Sequence, residues 1–312
     1  MMTVRQGSIH LFRVAGIDVF LHWSWFLVAA FEINRTRSYS SPLWNGMEYL
    51  TLFAIVLFHE YGHALACRQT GGTADRIMLW PLGGVAYVNP PPRAGATLWS
   101  IAAGPLVNVA FLVIVSVVEA WSRSSGWGAS MPNADAWLRA VWLMNLGLLV
   151  FNLLPIYPLD GGQILRALLW FLLGRARSLM VATIIGFVGV AGLLIIAIWM
   201  RSAWFGVISL FILVNCWGGL RQAQALSRQA KLPRHRGFAC PSCDTAPPVG
   251  NFWKCGRCKT AFDSFQTRAT CPHCGEQFEA TMCLDCRRQH PMSDWIPAER
   301  VAGGQVQEPG AY

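Results

Sequence analysis

The residues "MEYLTLFAIVLFHEYGHALAC", 47–67, decide how the rest of the chain is read. They form an apolar run long enough to cross a bilayer, with Glu48 and Glu60 as the only formally charged side chains. Within the run, His59, Glu60 and His63 spell H-E-x-x-H. On a helix the two imidazoles share one face, where they can hold one metal ion, and the glutamate beside them can act on water. Burying these three groups in an apolar helix is costly unless something satisfies them, so intramembrane ionisable residues are functional candidates. A chance match to a three-residue motif is the competing reading.

Outward from this run, the whole chain is apolar. Of 312 residues, 54% are hydrophobic and 13% charged, and the mean hydropathy is +0.38, which indicates an integral membrane protein. Stretches near 17–34, 47–68, 97–121, 138–157, 178–200 and 202–220 predict an α-helical polytopic domain of about six transmembrane helices. "ILRALLWFLL" (164–173) reads as a continuation of the fourth span after a break. The first residues lack a continuous apolar core and a small-residue cleavage site, so no removable signal peptide is expected. With the N-terminus inside, thirteen Lys or Arg fall on the cytoplasmic side and five on the other, which predicts a multi-pass protein with both termini cytoplasmic.

Catalytic zinc usually takes three protein ligands and keeps the fourth position open for water. An extended H-E-x-x-H motif would place Gly at 66 and His at 69, but those positions are Ala66 and Gln69. The third ligand therefore comes from elsewhere, and the best candidate lies in "FNLLPIYPLDGGQILRALL" (151–169). Pro155 and Pro158 break the helix, Gly161 and Gly162 loosen the backbone, and Asp160 sits among apolar residues. Broken helices at membrane depth are tolerated where they line a cavity. Alternatively Asp160 caps the next helix, with Gln163 completing a capping box. The two roles are compatible.

"HEYGH" followed by "NLLPIYPLDGG" in a later span resembles the site-2 protease family of intramembrane zinc metalloproteases, whose motifs are H-E-x-x-H and N-x-x-P-x-x-x-x-D-G. Asn152, Pro155, Asp160 and Gly161 fit the second motif. "AAGPLVN" (102–108) and "PLGG" (81–84) are also similar to family segments, and the likeness covers about 7–220. The resemblance implies zinc held by His59, His63 and Asp160, Glu60 as general base, and a substrate that is a transmembrane segment of another protein, cut in or near the lipid bilayer. It also implies Asn152 beside the scissile carbonyl, against the plainer reading of a buried amide bonded to the broken helix. "RIMLWPLGGVAYVNPPPR" (76–93) reads as a hairpin at the membrane interface whose edge can hold an extended substrate, or as an ordinary loop. Two other function classes compete: a metal transporter, which would have little need for Glu60, and a catalytically silent scaffold that recruits partners.

After about residue 236 the chain changes character. Eight cysteines form four C-x-x-C pairs, a strong zinc signal. The expected organisation is a membrane domain over 1–222, a linker over 223–237, a small β-rich double zinc ribbon over 238–292 and a disordered tail over 293–312. Sequential pairing would join Cys240, Cys243, Cys255 and Cys258 in one site, and Cys271, Cys274, Cys283 and Cys286 in another. The expected complement is one catalytic and two structural Zn2+. Residues 237–312 carry net charge −1, against +10 for 1–236, so a nucleic-acid partner is not expected. A protein partner of the ribbons and a purely structural appendage remain as readings.

Overall fold

The quoted run folds as a helix because its ends are specified. Ser41 accepts a hydrogen bond from the Leu43 amide at 3.4 Å, Pro42 occupies the first turn, and Gly71, at φ 83°, turns the chain beyond Gln69. The computed structural model describes residues 7–34, 39–80 and 83–296. It opens with β1 (Ser8–Val14), β2 (Ile17–His22) and α1 (Trp25–Asn34), followed by the quoted helix, α2 (Pro42–Gln69), and then β3 (Thr73–Trp80) and β4 (Gly83–Asn89). Next come α3 (Ala94–Ser124), a single-turn α4 (Trp127–Ser130), α5 (Pro132–Leu153), α6 (Asp160–Trp199) and α7 (Ala203–Ala230). The chain divides into two units, Met1–Gln224 and Ala225–Tyr312.

Among the described residues, five helices, α2, α3, α5, α6 and α7, are long and apolar enough to cross a membrane. The expected span at 17–34 is not one helix. Residues 17–22 form β2, in which Ile17, Val19 and Leu21 alternate into the core, and after a turn at Trp23 and Ser24 α1 covers 25–34. Period-two burial prevails there over bulk hydropathy. The stretch 164–173 runs on into the expected fifth span within α6, interrupted at Gly174, whose φ of 77° breaks the helical backbone.

The first four strands make one sheet in the order β1-β2-β3-β4. β2 and β3 run parallel, so α1 and α2 form the crossover between them, while the outer pairs are antiparallel. Its inner face, including Ile17, Val19, Ile77 and Leu79, packs on Val56, Ala64 and Cys67 of α2. Arg68 pins the sheet further by donating to the carbonyl oxygens of Gly16 at 2.9 Å, Ala15 and Ala74. The hairpin reading of 76–93 is realised as β3–β4, with Trp80 paired to Gly83, while Pro81 and Leu82 of the family-like segment lie outside the described residues. On its other side α2 meets α3 through glycines. Gly62 lies on the Ala103 carbonyl and Gly104 on the imidazoles of His59 and His63, where a Cβ would overlap.

The second unit contains two short hairpins, β5 (Trp253–Lys254) with β6 (Ala261–Phe262), and β7 (Ala280–Met282) with β8 (Gln289–Pro291). They enclose Trp253, Phe262, Phe265, Trp295 and the cysteines. Over the expected linker, α7 continues to Ala230, and within the second unit Arg234 pairs with Asp285 at 2.7 Å and the His235 Nε2 meets the Asp263 carboxylate at 2.9 Å. Of the expected tail, Met292–Trp295 is a single helical turn with a fully buried Trp295, and 297–312 lie outside the described residues. Trp295→Ala should therefore destabilise this unit by about 3–5 kcal/mol. The check is thermal unfolding followed by reaction of the cysteines with a thiol reagent, which should occur at lower temperature in the variant.

Candidate functional site

His59 and His63 stand one turn apart on the face of α2 that meets α3, and both are almost fully buried. Their Nε2 atoms are 3.1 Å apart. Asp160, the first residue of α6, brings Oδ2 to 3.0 Å from His59 Nε2 and 3.3 Å from His63 Nε2. These three atoms form a triangle. A tetrahedral metal with bonds of about 2.0–2.1 Å would have edges of about 3.3 Å, so the triangle fits one face of a zinc site.

The protons of the two imidazoles are fixed from behind. Asn108 of α3 donates through Nδ2 to Asn145 Oδ1 of α5 at 2.7 Å, so its Oδ1 is left to accept, and it accepts from His59 Nδ1 at 2.5 Å. Asn145 in turn donates to the Asn108 carbonyl at 2.8 Å. His63 Nδ1 donates to the Ser100 carbonyl, which can only accept, at 2.9 Å. Both Nε2 lone pairs therefore face the Asp160 Oδ2, a buried atom that has no hydrogen-bond donor among the described residues. Three electron pairs pointed at one another in an apolar interior call for a cation, and this orienting shell is how proteins hold imidazole ligands.

The break between α5 and α6 delivers Asp160. Gly161 packs on the backbone of Leu153 and Leu154, and Gly162 on that of Ile156 and Tyr157, approaches that no side chain permits. The capping-box reading is not realised: the residue before the helix is Leu159, no side chain caps it, and Gln163 instead donates to the Pro158 carbonyl at 2.9 Å. Asn152, near the end of α5, brings Nδ2 to 3.4 Å from His59 Nε2 and so borders the same centre. Glu60 is buried beside the histidines but turns towards the sheet, where its Oε2 accepts from the Ala86 amide of β4 at 2.7 Å. No motif in the sequence points to a role for Asn108, Asn145, Ser100 or Ala86. An asparagine inside an apolar span was the available signal for the first two; backbone groups carry none.

The eight tail cysteines make two clusters, but not the sequential ones. Cys240 and Cys243 join Cys283 and Cys286, and this outer set encloses an inner set of Cys255, Cys258, Cys271 and Cys274. Sulfur separations across the knuckles are 3.6 and 3.8 Å in the outer set and 3.6 Å in the inner, near the edge of about 3.8 Å expected for four thiolates on zinc and far from a disulfide bond. Pairing of β5 with β6 turns the chain back so that the third knuckle meets the second. Loops of 11, 12 and 8 residues separate successive knuckles, and their closure costs are too alike for spacing to choose among partners. The Cys258 thiol is held down at about 5, foremost by its hydrogen bond with the Thr260 side chain.

Comparison with known proteins agrees with this geometry. Residues 47–128 and 127–196 match peptidase family M50. A zinc metalloprotease of Methanocaldococcus jannaschii is 34% identical over 179 residues, covering 57% of this chain and 50% of that protein. Stage IV sporulation protein FB of Bacillus subtilis is 29% identical over 198 residues, covering 60% of this chain and 64% of that one. The solved structure of the site-2 protease from Methanocaldococcus jannaschii superposes with a TM-score of 0.51 at 28% identity, covering 68% of this chain and 95% of that chain. The chain spans about half the length of the curated relatives it matches. It has a site-2 protease-like fold, and its residues 47–196 are similar to peptidase family M50. The cysteine clusters lie beyond the residues matched to the family.

Because Asn108 fixes the proton of His59, Asn108→Ala should weaken zinc retention at the membrane centre by about 10–100-fold while leaving the chain folded. Equilibrium dialysis against a zinc chelator, with the cysteine clusters removed by truncation after Arg236, would measure it.

Proposed function

We propose that this chain is a zinc-dependent intramembrane endopeptidase. The observation that carries the reading is the convergence of His59 Nε2, His63 Nε2 and Asp160 Oδ2 on one point in a membrane helix bundle, with Glu60 alongside. A transporter would be better served by several such centres. Among the described residues the membrane unit contains one cluster of this kind.

His59, His63 and Asp160 hold the metal, which when bound polarises a carbonyl and makes water acidic enough to lose a proton near neutral pH. Glu60 takes that proton and delivers it to the departing amine. Asn152 orients the scissile carbonyl and donates to its oxygen as negative charge develops there. The substrate is a transmembrane segment of another protein, unwound to an extended strand and held along the free edge of β4 by main-chain hydrogen bonds. Both termini lie in the cytoplasm, from which water reaches the centre. The two cysteine clusters hold structural zinc and form a module for a protein partner, since residues 237–312, which contain them, carry net charge −1.

Glu60→Gln should abolish cleavage of a co-expressed single-span membrane protein and keep the membrane zinc, because no ligand is lost. Cleavage at the wild-type rate by that variant would refute the role of Glu60. Elemental analysis should find three zinc ions in the full chain and one after truncation at Arg236. The double variant His59→Ala, His63→Ala should retain two.

A further inference from the structure

The side chain proposed as general base is held by the strand proposed to receive substrate. Glu60 reaches past Gly84, which has no side chain in its way, and its Oε2 accepts from the Ala86 amide at 2.7 Å. Among the described residues β4 pairs with β3 alone, so it is an edge strand there, and an amide that donates to a helix side chain is not donating to β3. The Ala86 N–H thus belongs to the unpaired edge, the row of groups that an added strand would use. The Glu60 carboxylate is also absent from the group of ligand atoms of His59, His63 and Asp160 that lie within 4.8 Å of one another.

We infer that the Ala86 amide is a substrate-operated positioning group: it parks Glu60 against β4 until the carbonyl of an extended polypeptide pairs with the edge, takes the N–H and frees the carboxylate to turn towards the metal centre. One donor proton serves one strong acceptor, so strand pairing at this position and the parked carboxylate exclude each other. The ligand class is an extended backbone, read without regard to side chains. A helical segment has its carbonyls engaged internally and cannot displace Glu60, so the same contact discriminates against folded transmembrane helices. The inference rests on the endopeptidase reading given above.

The test uses the full chain in detergent. Site-resolved hydrogen exchange should show the Ala86 amide protected in wild type and exchanging at least about tenfold faster in Glu60→Ala. Equal protection in both proteins would overturn the inference, and this arm needs no turnover. Ala86→Pro removes the N–H at an edge position where proline is tolerated. Two probes are then compared: fluorescein-labelled casein, an unfolded chain long enough to line β4, and a quenched apolar tetrapeptide, which is too short to do so. Ala86→Pro should raise kcat on the tetrapeptide and raise KM for casein. A uniform fall on both probes, or no change on either, sinks the switch. Failure of wild type to cleave any probe counts instead against the endopeptidase reading, and the exchange result still decides whether the latch exists.

Discussion

Three electron pairs brought together among buried side chains of a helix bundle are the constraint on which the membrane unit depends. His59, His63 and Asp160 come from helices more than ninety residues apart in sequence, and without a cation their converging atoms would repel. Everything adjacent reads as a means of tolerating that arrangement. Asn108, Asn145 and the Ser100 carbonyl dispose of the imidazole protons. Gly104 lets α3 lie against the rings, and Gly161 and Gly162 let the chain turn tightly enough to present Asp160. The site is thus a compromise between α2, α3, α5 and α6.

A second organising contact is that of the sheet with α2. The apolar face of β2 and β3 and the clamp made by Arg68 hold the four strands on the same helix that carries H-E-x-x-H. The position of β4 beside Glu60 then follows from packing, since its distance from the motif is set by side chains between sheet and helix. A shift of α2 along its axis would move metal ligands and strand edge together, so both halves of the proposed site share one frame of reference.

What the sequence made legible was chemistry that resides in side chains. H-E-x-x-H, the aspartate after the broken helix and the C-x-x-C knuckles each declare themselves through residue type and spacing, and the hydropathy of 47–67 declares its surroundings. Less legible were features whose cause is remote. The strand at 17–22 was hidden in an apolar run because β2 is buried by partners that no local window contains. The partners of the cysteine knuckles depend on a two-residue hairpin, β5 with β6, that has no distinctive composition. The amide of Ala86 matters through its direction, which no residue type encodes.

The concentric arrangement of the cysteine clusters bears on the order in which they can be completed during synthesis. Cys240 and Cys243 leave the ribosome first, yet a metal ion held by the outer set could not be enclosed until Cys283 and Cys286 follow, some forty residues later. The inner four are complete at Cys274, so a metal centre there could close while the first knuckle still waits for its partner. Extra loop length adds little to the equilibrium cost of the outer site, about 0.6 kcal/mol per doubling. The consequence is temporal: a nascent chain carries a two-thiolate claw for the time taken to make the rest, during which metal donors and oxidants compete for it.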